Sequence, residues 1–223
     1  FSEGYIYSYD GTTVTAITDR VTHPNPGLHG CFNGKLFIST YATGTGPARL
    51  WVTDGTADGT KELGVVANRP GPITAWGGKI FFMTIKTNTE TGAADFFLAE
   101  TDGASPVHET ALAGQVRDLT VYKNNLYVTV TTLKEGSLCR YNGTDDLDVV
   151  SSEASDYSSF HILNGRMFFA GYTEATGMEM WVSDGTSSGT GLFKDIFTGT
   201  YISPFNGKEY PNSSSPFMSP MGF

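Results

Sequence analysis

The residues that could do chemistry are few and scattered along the chain. The four histidines, His23, His29, His108 and His161, form no H-x-x-x-H or H-E-x-x-H pattern, so the usual spacing of zinc ligands is missing. No G-x-S-x-G segment indicates a nucleophilic serine, and neither cysteine stands in a recognisable cysteine–histidine context. The acidic residues are spread through turns, so no glycosidase-type carboxylate pair can be nominated. We therefore expect no catalytic residue, no metal ion and no cofactor.

The acidic residues that do recur stand in one setting, a turn dipeptide that follows an apolar run. The dipeptides consist of Asp10 and Gly11, Asp54 and Gly55, Asp102 and Gly103, Asn142 and Gly143, and Asp184 and Gly185. Glycine permits the positive φ of a tight turn, and the aspartate or asparagine oxygen can accept backbone N–H groups as in an Asx turn. The calcium-loop pattern D-x-[DN]-x-[DN]-G is not matched. We predict that these residues are structural.

Two copies of this turn belong to one longer motif. Leu50 to Thr60 reads LWVTDGTADGT and Met180 to Thr190 reads MWVSDGTSSGT, with seven of eleven positions identical. Trp51 and Trp181 are predicted to pack between blades, each burying ~150–250 Å². The turn positions 10, 54, 102, 142 and 184 are separated by 44, 48, 40 and 42 residues. Several short strands in a period of this length are typical of a β-propeller blade.

The motif resembles the ELWxxDGTxxGT repeat of large secreted or surface proteins, most of them bacterial. The resemblance is specific at Trp51–Thr60 and Trp181–Thr190 and weaker elsewhere. Arg49 replaces the glutamate of the motif in the first copy, whereas Glu179 keeps it in the second. The resemblance implies propeller-like blades without assigned catalytic residues and an extracellular or cell-surface location.

The repeats predict an all-β protein, a five-bladed propeller of four-stranded antiparallel blades that forms one domain over residues 1–223. Four whole blades are expected at about 28–67, 73–112, 116–151 and 158–196. The fifth would combine 1–18 with 213–223, so that both chain ends close the ring and leave no exposed edge. This shared blade lacks most of one strand, which a neighbouring molecule could supply.

Composition narrows the classes of partner. The formal net charge is −9 and the pI is about 4.8, which argues against nucleic acid and against an anionic membrane surface. No run of 18 apolar residues is present, so membrane insertion is not expected. The chain begins at Phe1 without a methionine, and we expect a processed product or a piece of a longer protein. Cys31 and Cys139 fall in non-adjacent repeats and are predicted to be two buried thiols.

These observations lead to one main functional hypothesis and two alternatives. The main hypothesis is a non-catalytic extracellular module for adhesion or assembly that binds itself or other extracellular proteins, as in a filament or surface layer. The alternative is a lectin-like propeller, in which Trp51, Trp76 and Trp181 would stack on glycans. The less favoured alternative is a hydrolase with its site at the channel mouth, where His29 and His161 could lie. Asn142 and Asn212 each begin an N-x-[ST] sequon in a predicted surface turn and are candidate glycosylation sites.

Overall fold

The computed structural model describes residues 5–18, 25–41, 48–66, 73–88, 90–132, 135–144 and 146–214, with the side chains of 25–29 and 41 left aside. Within these ranges all regular secondary structure is β-strand, and no helix occurs that could cross a membrane. The all-β class predicted from the aromatic and β-branched composition is therefore confirmed.

Sixteen of the strands form four antiparallel sheets, and in each sheet the strands pair in sequence order. The first sheet contains β3 (Asn25–Phe32), β4 (Lys35–Tyr41), β5 (Ala48–Thr53) and β6 (Lys61–Val66). The second contains β7 (Thr74–Trp76), β8 (Lys79–Thr87), β9 (Ala94–Thr101) and β10 (His108–Leu112). The third contains β11 (Gln115–Tyr122), β12 (Asn125–Thr131), β13 (Gly136–Tyr141) and β14 (Leu147–Ser151). The fourth contains β15 (Tyr157–Leu163), β16 (Arg166–Thr173), β17 (Gly177–Ser183) and β18 (Gly191–Lys194).

The same two-residue turn joins the first and second strand of each four-stranded sheet. Both turn residues have positive φ, for example 48° at Asn33 and 70° at Gly34, which is the geometry of a type I′ hairpin. Asn-Gly and Gly-Gly dipeptides supply three of the four turns, and such dipeptides between apolar runs predict hairpins from the sequence alone. In the third sheet the sequence predicts the turn at Asn124 and Asn125, whereas the structure has it one residue earlier, at Lys123 and Asn124.

Two separate hairpins complete the described strands. β1 (Tyr7–Tyr9) pairs with β2 (Val14–Ala16), which confirms the hairpin predicted around the first Asp-Gly turn. β19 (Thr200–Ile202) pairs with β20 (Glu209–Pro211), a hairpin that the sequence pattern did not indicate. Each hairpin is a two-stranded sheet of its own in the described structure, so the four-stranded sheets are shown but the fifth blade and the closed ring are not.

The chain divides into two compact units, residues 1–112 and 113–223. In each unit, an Asp-Gly turn contacts an aromatic residue on the second strand of the preceding sheet. In the first unit, a Cβ at Gly103 would lie 3.1 Å from the ring of Phe37. In the second unit, the Tyr127 hydroxyl donates a hydrogen bond to the Gly185 carbonyl (3.2 Å). Because Phe37 and Tyr127 occupy equivalent strand positions, each unit contains the same kind of contact between its two four-stranded sheets.

A local hydrogen-bond network accounts for the shared residues of the long motif. The Thr186 backbone N–H and hydroxyl both donate to Asp184 Oδ1, at 2.9 and 2.6 Å. Thr186 Oγ1 in turn accepts the Gly189 N–H (3.1 Å), and the Thr190 hydroxyl donates to the Thr186 carbonyl (2.6 Å). The copy that begins at Asp54 has the same four bonds. The hydrogen bonds from Thr186 hold the pKa of the Asp184 carboxyl below its ordinary 3.8.

We predict that Gly189→Ala lowers the free energy of unfolding by about 1–3 kcal/mol, the usual range for forcing an extra methyl group into filled space. A Cβ at Gly189 would overlap the Asp184 carboxylate, which its bonds to Thr186 hold in place. Gly191→Ala is the matched control, because a Cβ there meets nothing within 4 Å. Urea denaturation of the two variants measures the difference, and equal stabilities would contradict the role assigned to Asp184.

Glu179, the motif glutamate retained in the fourth sheet, accepts hydrogen bonds from residues that follow that sheet in the chain. Glu179 is fully buried on β17, and its carboxylate accepts the backbone N–H groups of Ile196 (2.9 Å) and Ser214 (3.1 Å). The Ser214 hydroxyl also donates to Glu179 Oε2 (2.6 Å). Burial raises the pKa of Glu179, but these hydrogen bonds outweigh it and hold the pKa below the ordinary 4.5. One carboxylate thus joins the segment after β18 to the C-terminal segment.

We predict that Glu179→Gln destabilises the protein at neutral pH by roughly 2 kcal/mol, since hydrogen bonds to a charged acceptor are lost. A depressed pKa in the folded state contributes stability that is present above the unfolded pKa and disappears as the pH falls through the folded pKa. The stability gap between wild type and variant should therefore be constant above about pH 5 and shrink below the ordinary value of 4.5.

Denaturant titrations across this pH range test the prediction for Glu179. Glu90→Gln, at an exposed position, is the control and should follow the wild type at every pH. A gap between wild type and Glu179→Gln that stays constant down to pH 3 (about one and a half units below the ordinary pKa) would show that the charge of Glu179 is not used.

Candidate functional site

One cleft in the first unit lies between the N-terminal hairpin and the first copy of the long motif. Its volume is about 490 Å³, and it is lined by Tyr5, Ala16, Ile17, Thr18, Trp51, Ala57 and Thr60. The hairpin supplies one wall, while β5 and the turn that follows it supply the other. These lining residues provide two aromatic rings and three hydroxyls, those of Tyr5, Thr18 and Thr60, and include no charged side chain. A cleft of this composition suits an uncharged ligand that has both apolar faces and hydroxyl groups.

The two aromatic side chains of the cleft differ in how firmly they are held. Trp51 is half-buried, and its indole Nε1 donates a hydrogen bond to Thr40 Oγ1 on β4 (3.1 Å). This bond fixes the orientation of the ring, because the indole nitrogen has a single proton to donate. Tyr5 is 43% exposed, and its ring centroid lies 6.0 Å from that of Tyr7. The cleft therefore combines an anchored tryptophan with an exposed tyrosine.

The two threonine hydroxyls of the cleft differ in whether they can donate a hydrogen bond to a ligand. Thr60 Oγ1 donates to the Thr56 carbonyl (2.5 Å) and contacts Thr53 Oγ1 (2.6 Å), so its proton is already used. Thr18 Oγ1 accepts the Ile6 N–H (2.9 Å), an interaction that leaves the proton of the Thr18 hydroxyl unused. Of the two threonines in the lining, Thr18 is therefore the one that can donate a hydrogen bond to a bound molecule.

The second motif tryptophan stands in a different environment. Trp181 is only 3% exposed and packs edge-on against Tyr157, with ring centroids 6.3 Å apart. Gly171 replaces Thr40 at the equivalent strand position, and a Cβ there would lie 2.7 Å from Trp181 Cδ1. The buried Trp181 Nε1 lacks a hydrogen-bond partner among the described atoms. Trp76 lies beside Phe81, with ring centroids 5.8 Å apart, and does not line the cleft. The equivalent pocket expected from the repeat is therefore not formed at Trp181.

A smaller cleft in the second unit is acidic. Its volume is about 290 Å³, and its lining comprises Glu135, Gly136, Ser152, Glu153, Ala154, Ser155, Tyr172, Thr173 and Glu174. The three glutamates are exposed and come from the ends of β13, β14 and β16. Over the ranges that the structure describes, no group of three or more acidic, histidine or cysteine side chains could hold a metal ion. The lining contains both carboxylates and hydroxyls, and carboxylates are side chains that can act as general acids or bases.

The other predicted sites are dispersed. His108 and His161 are exposed, whereas His23 and the side chain of His29 lie outside the described residues. Asn142 is exposed, and its Oδ1 accepts both the N–H and the hydroxyl of Thr144 at 2.9 Å. Asn212 is half-buried, and its Nδ2 donates to the Thr198 carbonyl (3.0 Å). Glycosylation of either asparagine stays a prediction, and Asn142 is the more accessible.

The two cysteines are free and differ in environment. Cys139 is buried as predicted, and burial together with the nearby Asp148 raises the pKa of its thiol to about 11. Its thiol is therefore protonated and unreactive at neutral pH. Cys31 is exposed, so the prediction of two buried thiols is wrong for this residue. The pattern did not indicate this, because β3 contains a bulge between Leu28 and Gly30 that breaks the alternation of inward and outward side chains.

No protein-family model and no curated protein matches the chain. Among solved structures, a puromycin hydrolase matches over 95% of this chain and 37% of its own, at 14% identity and a TM-score of 0.55. A prolyl endopeptidase matches over 90% of this chain and 32% of its own, at 12% identity and a TM-score of 0.52. The chain thus spans about a third of the length of these two proteins.

A family 43 β-xylosidase/α-arabinofuranosidase from a compost microbial metagenome is also similar. It matches over 93% of this chain and 88% of its own, at 12% identity and a TM-score of 0.41. At these identities the comparisons show a fold and assign no reaction. They nevertheless correct the sequence-based expectation that the chain is not an enzyme, because the puromycin hydrolase and the prolyl endopeptidase, which share its fold, are both enzymes. That expectation depended on missing motifs, and a fold can bring catalytic groups together without any local motif.

Proposed function

We propose that this chain is a carbohydrate-binding, propeller-like protein whose binding site is the cleft between Tyr5 and Trp51. The observation that supports this proposal most directly is the anchored, half-buried Trp51 in an uncharged cleft of about 490 Å³. A pyranose ring has apolar C–H faces that pack on aromatic rings and hydroxyls that pair with polar groups at the edge. The Thr18 hydroxyl is positioned for the second kind of contact.

The adhesion and filament hypothesis receives no comparable support. The comparisons name hydrolases rather than assembly proteins. An extracellular location and self-association remain proposals that depend on the motif resemblance alone.

A carbohydrate-binding site at Trp51 predicts a specific loss of binding on mutation. Trp51→Ala should weaken binding of a neutral oligosaccharide by roughly 30-fold, since truncating a central aromatic anchor costs about 2 kcal/mol. Trp76→Ala is the matched control, because Trp76 is also half-buried but lies outside the cleft lining. Isothermal titration against a panel of oligosaccharides measures both, after thermal melting confirms that both variants are folded. Binding that is undiminished in Trp51→Ala would refute the site, and so would an equal loss in both variants.

A hydrolase is the second candidate function, and the acidic cleft of the second unit favours it. Glycoside hydrolysis needs two carboxyl groups, one as acid and one as base or nucleophile, and Glu135, Glu153 and Glu174 line one cleft of about 290 Å³. The names of the two similar structures with a TM-score above 0.5, a puromycin hydrolase and a prolyl endopeptidase, add aminoacyl and peptide substrates to the glycosides to be tried.

If the acidic cleft hydrolyses a substrate, glutamine at one of its working glutamates should lower kcat by about 100-fold or more. Single Glu135→Gln, Glu153→Gln and Glu174→Gln variants would be assayed on chromogenic glycosides and aminoacyl substrates. Glu90→Gln, an exposed glutamate of the first unit, is the control and should keep full activity. Turnover that none of the three substitutions alters would exclude the cleft as its origin.

We also propose the five-bladed ring as the finer form of this fold, with the chain ends sharing one blade. The repeat spacing of 40 to 48 residues and the β1–β2 hairpin support it. The attachment of Ser214 to Glu179 is consistent with it, because it holds residue 214 against the fourth sheet.

A further inference from the structure

We infer that the cleft between Tyr5 and Trp51 selects neutral saccharides and rejects anionic ones such as uronates, an inference that rests on the proposed carbohydrate-binding function. Three separate observations lead to this selectivity. They are the uncharged lining of the cleft, the existing partners of two cations near it in the sequence, and the net charge of the chain. Each of them acts on the charge of the ligand and leaves its hydroxyl pattern open.

The aromatic lining favours C–H groups over carboxylates. The face of an aromatic ring carries the negative part of its quadrupole, so it attracts the slightly positive C–H face of a sugar and repels an anion. A carboxylate placed between Tyr5 and Trp51 would also lose water without gaining an opposite charge, because the described lining residues include none. A neutral ring in the same position meets neither cost.

Two cations that lie near lining residues in the sequence, Arg49 and Lys61, already have partners in the described structure. Arg49 lies two residues before Trp51 on β5, and its Nη1 pairs with Glu62 Oε1 at 2.5 Å. Lys61 follows the lining residue Thr60, and its Nζ donates to the Ala104 carbonyl at 3.0 Å. A uronate carboxylate would therefore have to displace one of these partners before Arg49 or Lys61 could bind it.

The charge of the whole chain acts in the same direction at longer range. A formal net charge of −9 lowers the local concentration of polyanions and slows their approach. This contribution is screened by salt, whereas repulsion by the ring faces acts at contact distance and persists. Salt dependence therefore separates selection by the cleft from selection by net charge.

The Thr18 hydroxyl gives the cleft a polar anchor that fits the same ligand class. Because its oxygen already accepts the Ile6 N–H at 2.9 Å, the hydroxyl is set to act as a donor towards the cleft. A sugar ring oxygen or hydroxyl oxygen can accept this proton. Thr18→Val keeps the shape of the side chain but removes both the hydroxyl donor and the oxygen that accepts the Ile6 N–H, whereas Thr18→Ser retains both.

The test compares neutral and anionic hexasaccharides of matched length by isothermal titration. The neutral probes are xylohexaose, cellohexaose and mannohexaose, and the anionic probes are hexagalacturonate and hexamannuronate. Each is titrated into the full chain at about 20 mM and about 0.5 M salt, where the screening length changes severalfold. The expected result is that at least one neutral probe binds roughly 10-fold or more tightly than either uronate at both salt concentrations. Thr18→Val should weaken the neutral probe by roughly 3- to 10-fold, and Thr18→Ser should restore it.

The contrary results are distinguishable. Uronates that bind as tightly as the neutral probes, and that lose binding in Trp51→Ala, would overturn the selectivity and leave the proposed function standing. Discrimination that disappears at high salt would overturn the role of the cleft in selectivity and assign it to net charge. If no saccharide binds, or if tetramethylammonium binds at Trp51 in their place, both the inference and the proposed function fail, since an aromatic cleft can also hold an organic cation.

Discussion

The structure depends on a short turn that satisfies its own polar groups. In each long motif the aspartate carboxylate accepts two donors from the threonine two residues later, and that threonine accepts the N–H of the following glycine. The turn therefore needs no partner elsewhere for these groups, and it can be placed on an apolar surface without leaving donors unpaired. Local pairing also accompanies the two contacts between neighbouring sheets. The Gly185 N–H donates to Ser183 Oγ where Gly185 lies against Tyr127, and the Gly103 N–H donates to Thr101 Oγ1 where Gly103 lies against Phe37. Without this pairing, the buried Gly103 N–H would lack a partner.

The tryptophans of the two long motifs differ in burial because one residue on the neighbouring strand differs. Thr40 accepts the Trp51 indole proton and leaves the ring half-buried at the edge of a cleft. Gly171, at the equivalent position, lets Trp181 settle onto the backbone and into the core beside Tyr157. The second arrangement gains apolar burial and leaves an indole N–H unpaired, whereas the first keeps the hydrogen bond and exposes aromatic surface. A repeat can thus serve packing in one copy and recognition in another.

The sequence predicted those parts of the structure that are governed by local rules. Strand existence, the four-stranded units and the tight turns follow from turn dipeptides and apolar runs, and the shift of one turn to Lys123 is an error of a single residue. The β19–β20 hairpin was missed because its strands have three residues each and fall outside the repeat. The candidate cleft was also missed as a unit. Tyr5 and Thr18 are far from Trp51 in sequence, and only tertiary structure brings them together.

The expectation of a non-enzyme shows where sequence reasoning stops. Catalytic motifs are local, so their absence excludes only chemistry that has a local signature. Carboxylates that converge from several strand ends have no such signature. In the sequence, Glu135, Glu153 and Glu174 are separate turn residues, and only the structure places them in the lining of one cleft. The difference between Thr40 and Gly171 was visible in an alignment of the two motif-bearing sheets, since both face the strand that carries the tryptophan. The residue opposite each motif tryptophan therefore distinguishes the buried Trp181 from the half-buried Trp51. In a repeat protein, such differences between equivalent positions indicate candidate sites, whereas the shared positions indicate the fold.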